Sequence, residues 1–160
     1  MKKLIVAIIA STLLIACQPQ TEEPAQSMED LLVYYVALEG AEKVGEPIGC
    51  GDSIVPITIT VPPTDNTLKT ALENLLAEKQ QNIEPDLYNA LYQSNLNIDS
   101  ATITNGLAEV KLTGTLTLGG VCDSPRVESQ IERTILQFPE VKEVKVFLNG
   151  KTLQEALSQK

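Results

Sequence analysis

An α+β fold is predicted: a small mixed β-sheet with two main helices packed on one face, preceded by a signal peptide and a flexible tether. Three observations predict it. Val55, Ile57, Ile59 and Val61, and again Val144, Val146 and Leu148, place apolar side chains at every second position, the period of a half-buried strand. Residues 68–76 and 127–138 repeat apolar side chains at three- and four-residue spacing, the period of a helix lying on a core. Between two further alternating stretches stands Asn105-Gly106, the strongest short signal for a β-hairpin.

The chain opens with Lys2 and Lys3, followed by the apolar stretch 4–14, broken only by Ser11 and Thr12. That is the length of a signal-peptide core and falls short of the roughly 20 residues that span a bilayer. No charge follows until Glu22, so no positive stop-transfer flank is present. The run ends Leu14-Ile15-Ala16-Cys17, which resembles the lipobox of bacterial lipoproteins. That resemblance implies a diacylglyceryl group on the Cys17 thiol, cleavage after Ala16, and acylation of the new amine. Each buried acyl CH₂ contributes about 0.8 kcal/mol, so two or three chains anchor where one does not. Residues 1–16 are then the signal peptide, and 17–30 the acylated cysteine and its linker. That linker carries two prolines, four acidic residues and no large aliphatic side chain.

Hydrophobic density begins at Leu31, the expected start of a domain running over 31–153, with 154–160 as a C-terminal tail. The run LLVYYVAL (31–38) is apolar on both faces and predicts a central strand. After the loop EGAEKVGEP, Val55, Ile57, Ile59 and Val61 predict a strand in which Pro56 demands an edge or a bulge. Pro62-Pro63 stops it. Thr64 or Asp65 is expected to cap the next helix, whose inner face is Leu68, Ala71, Leu72, Leu75 and Leu76. Residues 80–95 predict a loop with one or two helical turns, Tyr88 and Tyr92 covering the sheet edge.

Counting outward from Asn105-Gly106 pairs Ile103 with Ala108 and Ala101 with Val110, which makes one hairpin face apolar. The second strand continues toward Gly119-Gly120. Asp123 or Ser124 then caps a helix with Pro125 in its first turn. Its inner face is Val127, Ile131, Thr134, Ile135 and Phe138, and Pro139 ends it. Val144, Val146 and Leu148 form the last strand, closed by Asn149-Gly150.

Three cysteines are present. With Cys17 taken by lipid, Cys50 and Cys122 remain as an even pair in an exported chain, and a disulfide between them is expected. Closing so long a loop contributes at most about 4 kcal/mol in the chain-entropy model.

In these features the chain resembles the GerMN domain, the module named for sporulation and spore-germination proteins. The residues that carry the resemblance are YYVAL, VPITITVP, TLKTALENLL, NGLAEVKLTG and IERTILQFPEVKEVKVFLNG. The resemblance covers about residues 31–153 and implies an envelope lipoprotein related to ring-building modules of membrane machines. It brings no catalytic residue with it. The chain departs from many relatives at Ile59, where they carry a basic residue. The Cys50/Cys122 pair is not general to the family, so that expectation rests on compartment and number alone.

Little in the composition points to chemistry. Histidine is absent, which removes the commonest general base and metal ligand. The net charge is −9, and −11 once Lys2 and Lys3 leave with the signal peptide. Such a balance argues against nucleic acid and anionic headgroups as partners. The catalytic alternative is Cys122, set before a helix and near Arg126, but Asp123 repels a thiolate and no base is identifiable. The metal alternative is convergence of Asp52, Asp123 and Glu128, in a spacing that matches no calcium loop. No catalytic residue, metal site or cofactor is therefore expected. The expected function is a non-enzymatic, membrane-anchored envelope lipoprotein acting through protein partners. A binding module for a small anion or glycan is the alternative. Because Gln18 follows Cys17, the outer membrane, periplasmic side, is expected if the source has two membranes.

Overall fold

The computed structural model describes residues 27–158. The signal peptide, Cys17 and the linker up to residue 26 lie outside the described residues. The first strand, β1 (Glu29–Ala37), starts two residues ahead of the apolar run, because Glu29 and Asp30 already pair with Val61 and Thr60. The Thr60 hydroxyl donates to the Asp30 carboxylate at 2.8 Å. There follow β2 (Glu46–Pro47), a 3-10 turn (Gly49–Gly51), β3 (Ser53–Val61) and α1 (Thr67–Ala77). Then come β4 (Asn82–Glu84), β5 (Leu87–Tyr88), β6 (Asn95–Thr104) and β7 (Leu107–Thr115). The chain closes with α2 (Asp123–Leu136), β8 (Glu143–Leu148), β9 (Lys151–Thr152) and α3 (Leu153–Ser158).

The class is α+β, but the one small sheet expected is two. One sheet has the order β2-β3-β1-β5-β4 and the other β6-β7-β8-β9. Helix α1 packs against both β1 and β6, while α2 packs against β1 and also touches β3 and β8. The helices thus pack on both sheets rather than on one face of one. Strand β1 is central as expected, and Val33, Val36 and Ala37 are fully buried. Pro56 sits opposite Tyr34, beyond the two-residue reach of β2, so its missing N–H falls on an open edge and no bulge is needed.

Polar side chains of α2 explain why the sheets stay separate. Past Val36, where β5 pairs, the free edge of β1 meets no strand. Instead Leu32 N–H donates to Gln137 Oε1 at 2.7 Å, and Gln137 Nε2 donates back to Leu32 O at 2.7 Å. Tyr34 N–H donates to Thr134 Oγ1 at 3.3 Å, and Gln130 Nε2 to Tyr34 O at 3.1 Å. Residues 130, 134 and 137 share one helix face, so α2 and its end seal the strand edge as a neighbouring strand would.

Helix α1 buries the five residues expected of it, but its cap is Asn66, whose side-chain Oδ1 accepts from Lys69 N–H at 2.9 Å. Thr64 instead accepts from Asn66 N–H, and Asp65 takes no part in the cap. The 80–95 segment forms the small β4–β5 hairpin and a single turn, in place of the helical turns expected, because Tyr88 pairs with Val36 at the end of β1. The Asn105-Gly106 hairpin has the expected register, with φ of 52° and 85° at its two central residues. The same positive-φ pair recurs at Asn149 and Gly150, where it turns β8 into β9.

Candidate functional site

Residues singled out by sequence converge where the β2–β3 loop meets the start of α2. Gly49-Cys50-Gly51 is a tight turn with φ of 64° at Cys50 and 77° at Gly51. A side chain at Gly49 would lie 3.1 Å from Pro125 Cγ, so the turn lies directly on the first turn of α2. The structure joins Cys50 to Cys122 by a disulfide, with Cα atoms 5.9 Å apart.

Beneath the disulfide lies an ion cluster. Arg126 Nε donates to Asp52 Oδ2 at 2.6 Å, and Arg126 Nη1 to Asp123 Oδ1 at 3.1 Å. Both carboxylates are almost fully buried, with 1% and 3% of their side chains exposed. The second oxygen of Asp52 enters separately into a bond with Glu39 N–H at 2.9 Å, and Asp123 Oδ2 accepts from Gly119 N–H at 2.6 Å. Tyr88 completes the cluster. Its hydroxyl donates to Asp123 at 3.2 Å, and the Arg126 guanidinium lies 5.3 Å from its ring centroid. Burial, and then the charge of Asp123, push the Tyr88 phenol up to about 12. One cation thus serves two carboxylates, and backbone amides share the remaining negative charge.

This arrangement corrects several readings of the segment. The N-cap position of α2 belongs to Cys122, with no side-chain cap bond, and Asp123 lies within the first turn. The Asp123 carboxylate turns back to Gly119 instead of capping, and Ser124 plays no capping part. Glu128 does not join Asp52 and Asp123 but accepts from Gln154 at 3.1 Å on the surface. Among the described residues no group of three His, Cys, Asp or Glu could hold a metal ion. Arg126 is held by the two aspartates rather than aimed at the Cys122 sulfur.

A second buried cluster was not visible in the sequence. Gln130 is fully buried, accepts from Ala90 N–H at 2.8 Å, and donates to Asn89 Oδ1 at 3.2 Å as well as to Tyr34 O. Asn89 passes the chain on to Glu78 O at 3.0 Å. The one signal for it is a polar residue at position 130 inside the apolar face of α2. Tyr88 and Tyr92 meet edge-on with centroids 6.2 Å apart, and Tyr35 is core.

A family model described as Germane, sporulation and spore germination, matches residues 32–154. The chain belongs to the Germane family. The GerMN resemblance read from the sequence therefore stands, over nearly the span expected. The tandem GerMN domains of the sporulation protein GerM from Bacillus subtilis match with a TM-score of 0.57 at 18% identity, over 85% of this chain. This chain spans 44% of that tandem protein chain. The first GerMN domain of the same protein matches with a TM-score of 0.51 at 21% identity, over 80% of this chain and 86% of that one. At such identities the likeness is one of fold. No curated protein matches the chain. Among the described residues of this Germane domain, no helix is long and apolar enough to cross a membrane.

Proposed function

We propose that this Germane-family protein is an envelope lipoprotein, held to a membrane through acylated Cys17 and acting by protein contacts in a sporulation- or germination-type assembly. The family supports the process, and Leu14-Ile15-Ala16-Cys17 supports the anchor. The observation that carries the non-enzymatic part is the Asp52–Arg126–Asp123 cluster. Its groups satisfy one another and two backbone amides, under a disulfide that consumes both remaining thiols. Groups so occupied are not presented to a substrate at this place.

The domain starts at Glu29, at the end of β1 opposite the disulfide, since Glu29 pairs with Val61 and Ala37 with Ser53. The segment from Cys17 to Glu29 spans at most about 40 Å when fully extended. A tether from Cys17 would therefore join the domain at the end away from the disulfide. Gln18 after Cys17 favours the outer membrane in a source with two. Photo-crosslinkers placed at Val44 and Val121, both highly exposed, test the reading in cells. The reading expects discrete crosslinks to other envelope proteins. Crosslinking to glycan alone, or no adduct at all, would contradict it.

A further inference from the structure

The β6–β9 sheet is left open along part of β8. Strand β8 pairs with β7 along its whole length, but β9 reaches only Phe147 and Leu148. Asn149 N–H donates to Leu112 O at 2.9 Å and Glu143 N–H to Gly106 O at 3.0 Å. Odd-numbered residues of β8 therefore turn their backbone groups toward β7. By alternation, the N–H and C=O of Val144 and Val146 point the other way, and no strand among the described residues pairs with them.

This open edge lines a groove of about 260 Å³, walled by Glu132 of α2 and by Leu153 and Gln154 of α3. The volume is below the range of about 300–1,000 Å³ usual for small-molecule sites, and the groove runs along a strand. Its lining holds one carboxylate, Glu132, and one cation, Lys145. The cations closest in sequence have carboxylates of their own: Arg133 pairs with Glu46, and Lys145 with Glu143 at 3.0 Å. Burial, and then the charge of Glu128, raise the Glu132 carboxyl above its ordinary range, against a smaller opposing effect of Arg133. A cation brought to this place would be met by a carboxylate short of one.

We propose that the β8 edge docks an extended segment of a partner protein, which adds a strand beside Val144 and Val146 and sets a lysine or arginine against Glu132. Backbone bonding to two residues supplies the register, and the cation supplies selectivity. The inference does not depend on acylation of Cys17.

The probe is an acetylated, amidated heptapeptide, Thr-Val-Lys-Val-Lys-Val-Thr, titrated into the isotope-labelled full chain and followed by NMR. A peptide with glutamate at both lysine positions and one N-methylated at alternate amides serve as controls. The lysine peptide is expected to shift the Val144 and Val146 amides and slow their hydrogen exchange at least tenfold. Glu132→Gln is expected to weaken binding about five- to tenfold, and both control peptides to bind more weakly still. Equal affinity for the lysine and glutamate peptides would overturn the proposal. So would indifference to Glu132→Gln, perturbation elsewhere on the fold, or no binding at millimolar peptide.

Discussion

Arg126 and Asp52 meet at 2.6 Å across 74 residues of sequence, one on α2 and the other at the mouth of β3. The Cys50–Cys122 disulfide links the same two segments, from a position where Cys50 is exposed and Asp52 is buried. Covalent bond and ion pair therefore hold one junction, from its solvent side and its inner side. That junction fixes the β2–β3 loop to the helix that seals the edge of β1.

Arg126→Met keeps most of the packing of the stem but leaves two buried carboxylates without their cation. A stability loss of about 3–5 kcal/mol is expected in denaturant titration. Arg126→Lys should recover only part of it, because an ammonium cannot reproduce the planar fork. A loss below about 1 kcal/mol for the methionine variant would mean that the cluster is solvated.

Gln130→Leu tests the sealed strand edge. It removes the acceptor for Ala90 N–H and the donor to Tyr34 O and Asn89, all in or near the core. Unsatisfied buried groups cost about 1–3 kcal/mol each. A midpoint at or above wild type would show that the added apolar volume outweighs the polar seal.

Stability should also fall at high pH. Burial, then the charge of Glu78, push the Tyr35 phenol up to about 12, as burial and Asp123 do for Tyr88. Folded values raised above about 10 mean that the folded state favours the protonated phenol. The contribution is fully present below pH 10 and is lost as pH rises toward 12. Absorbance titration of phenolate should show a late component that shrinks in Tyr35→Phe and in Tyr88→Phe. A single transition near 10 under native conditions would contradict the burial.

At the hairpin, Gly106→Val places a β-branched side chain at φ +85°, with Lys142 Cδ 3.3 Å and Glu140 O 3.5 Å from the new Cβ. A cost of about 1–3 kcal/mol is expected. Thr102→Val, at an exposed position of β6, should stay within about 0.5 kcal/mol. Coincident midpoints for wild type and Gly106→Val would rule out the turn.

Periodicity and turn chemistry made much of the fold legible. The inner face of α1, the central place of β1 and the hairpin register all follow from spacing along a single segment. What spacing does not contain is pairing between segments. Strands β2, β5 and β9 have two residues each and exist because β3, β1 and β8 lie beside them. The split into two sheets was likewise hidden, since it depends on Gln130, Thr134 and Gln137 reaching the edge of β1. At the site, the sequence points to Asp52 and Asp123 as metal ligands, to Asp123 also as a helix cap, and to Arg126 as the neighbour of a thiol. Their mutual neutralisation depends on a contact between residues 52 and 126 that neither local sequence encodes.

The central claim is a lipid-anchored, cross-linked Germane domain, and intact-mass spectrometry of the protein extracted from membranes tests it most directly. With free thiols alkylated before any reduction, the account predicts a chain that begins at Cys17 and carries diacylglyceryl and acyl increments. It also predicts no alkylation and a mass lower by the two hydrogens of one disulfide. A chain starting elsewhere without lipid, or two alkylated thiols at Cys50 and Cys122, would contradict it.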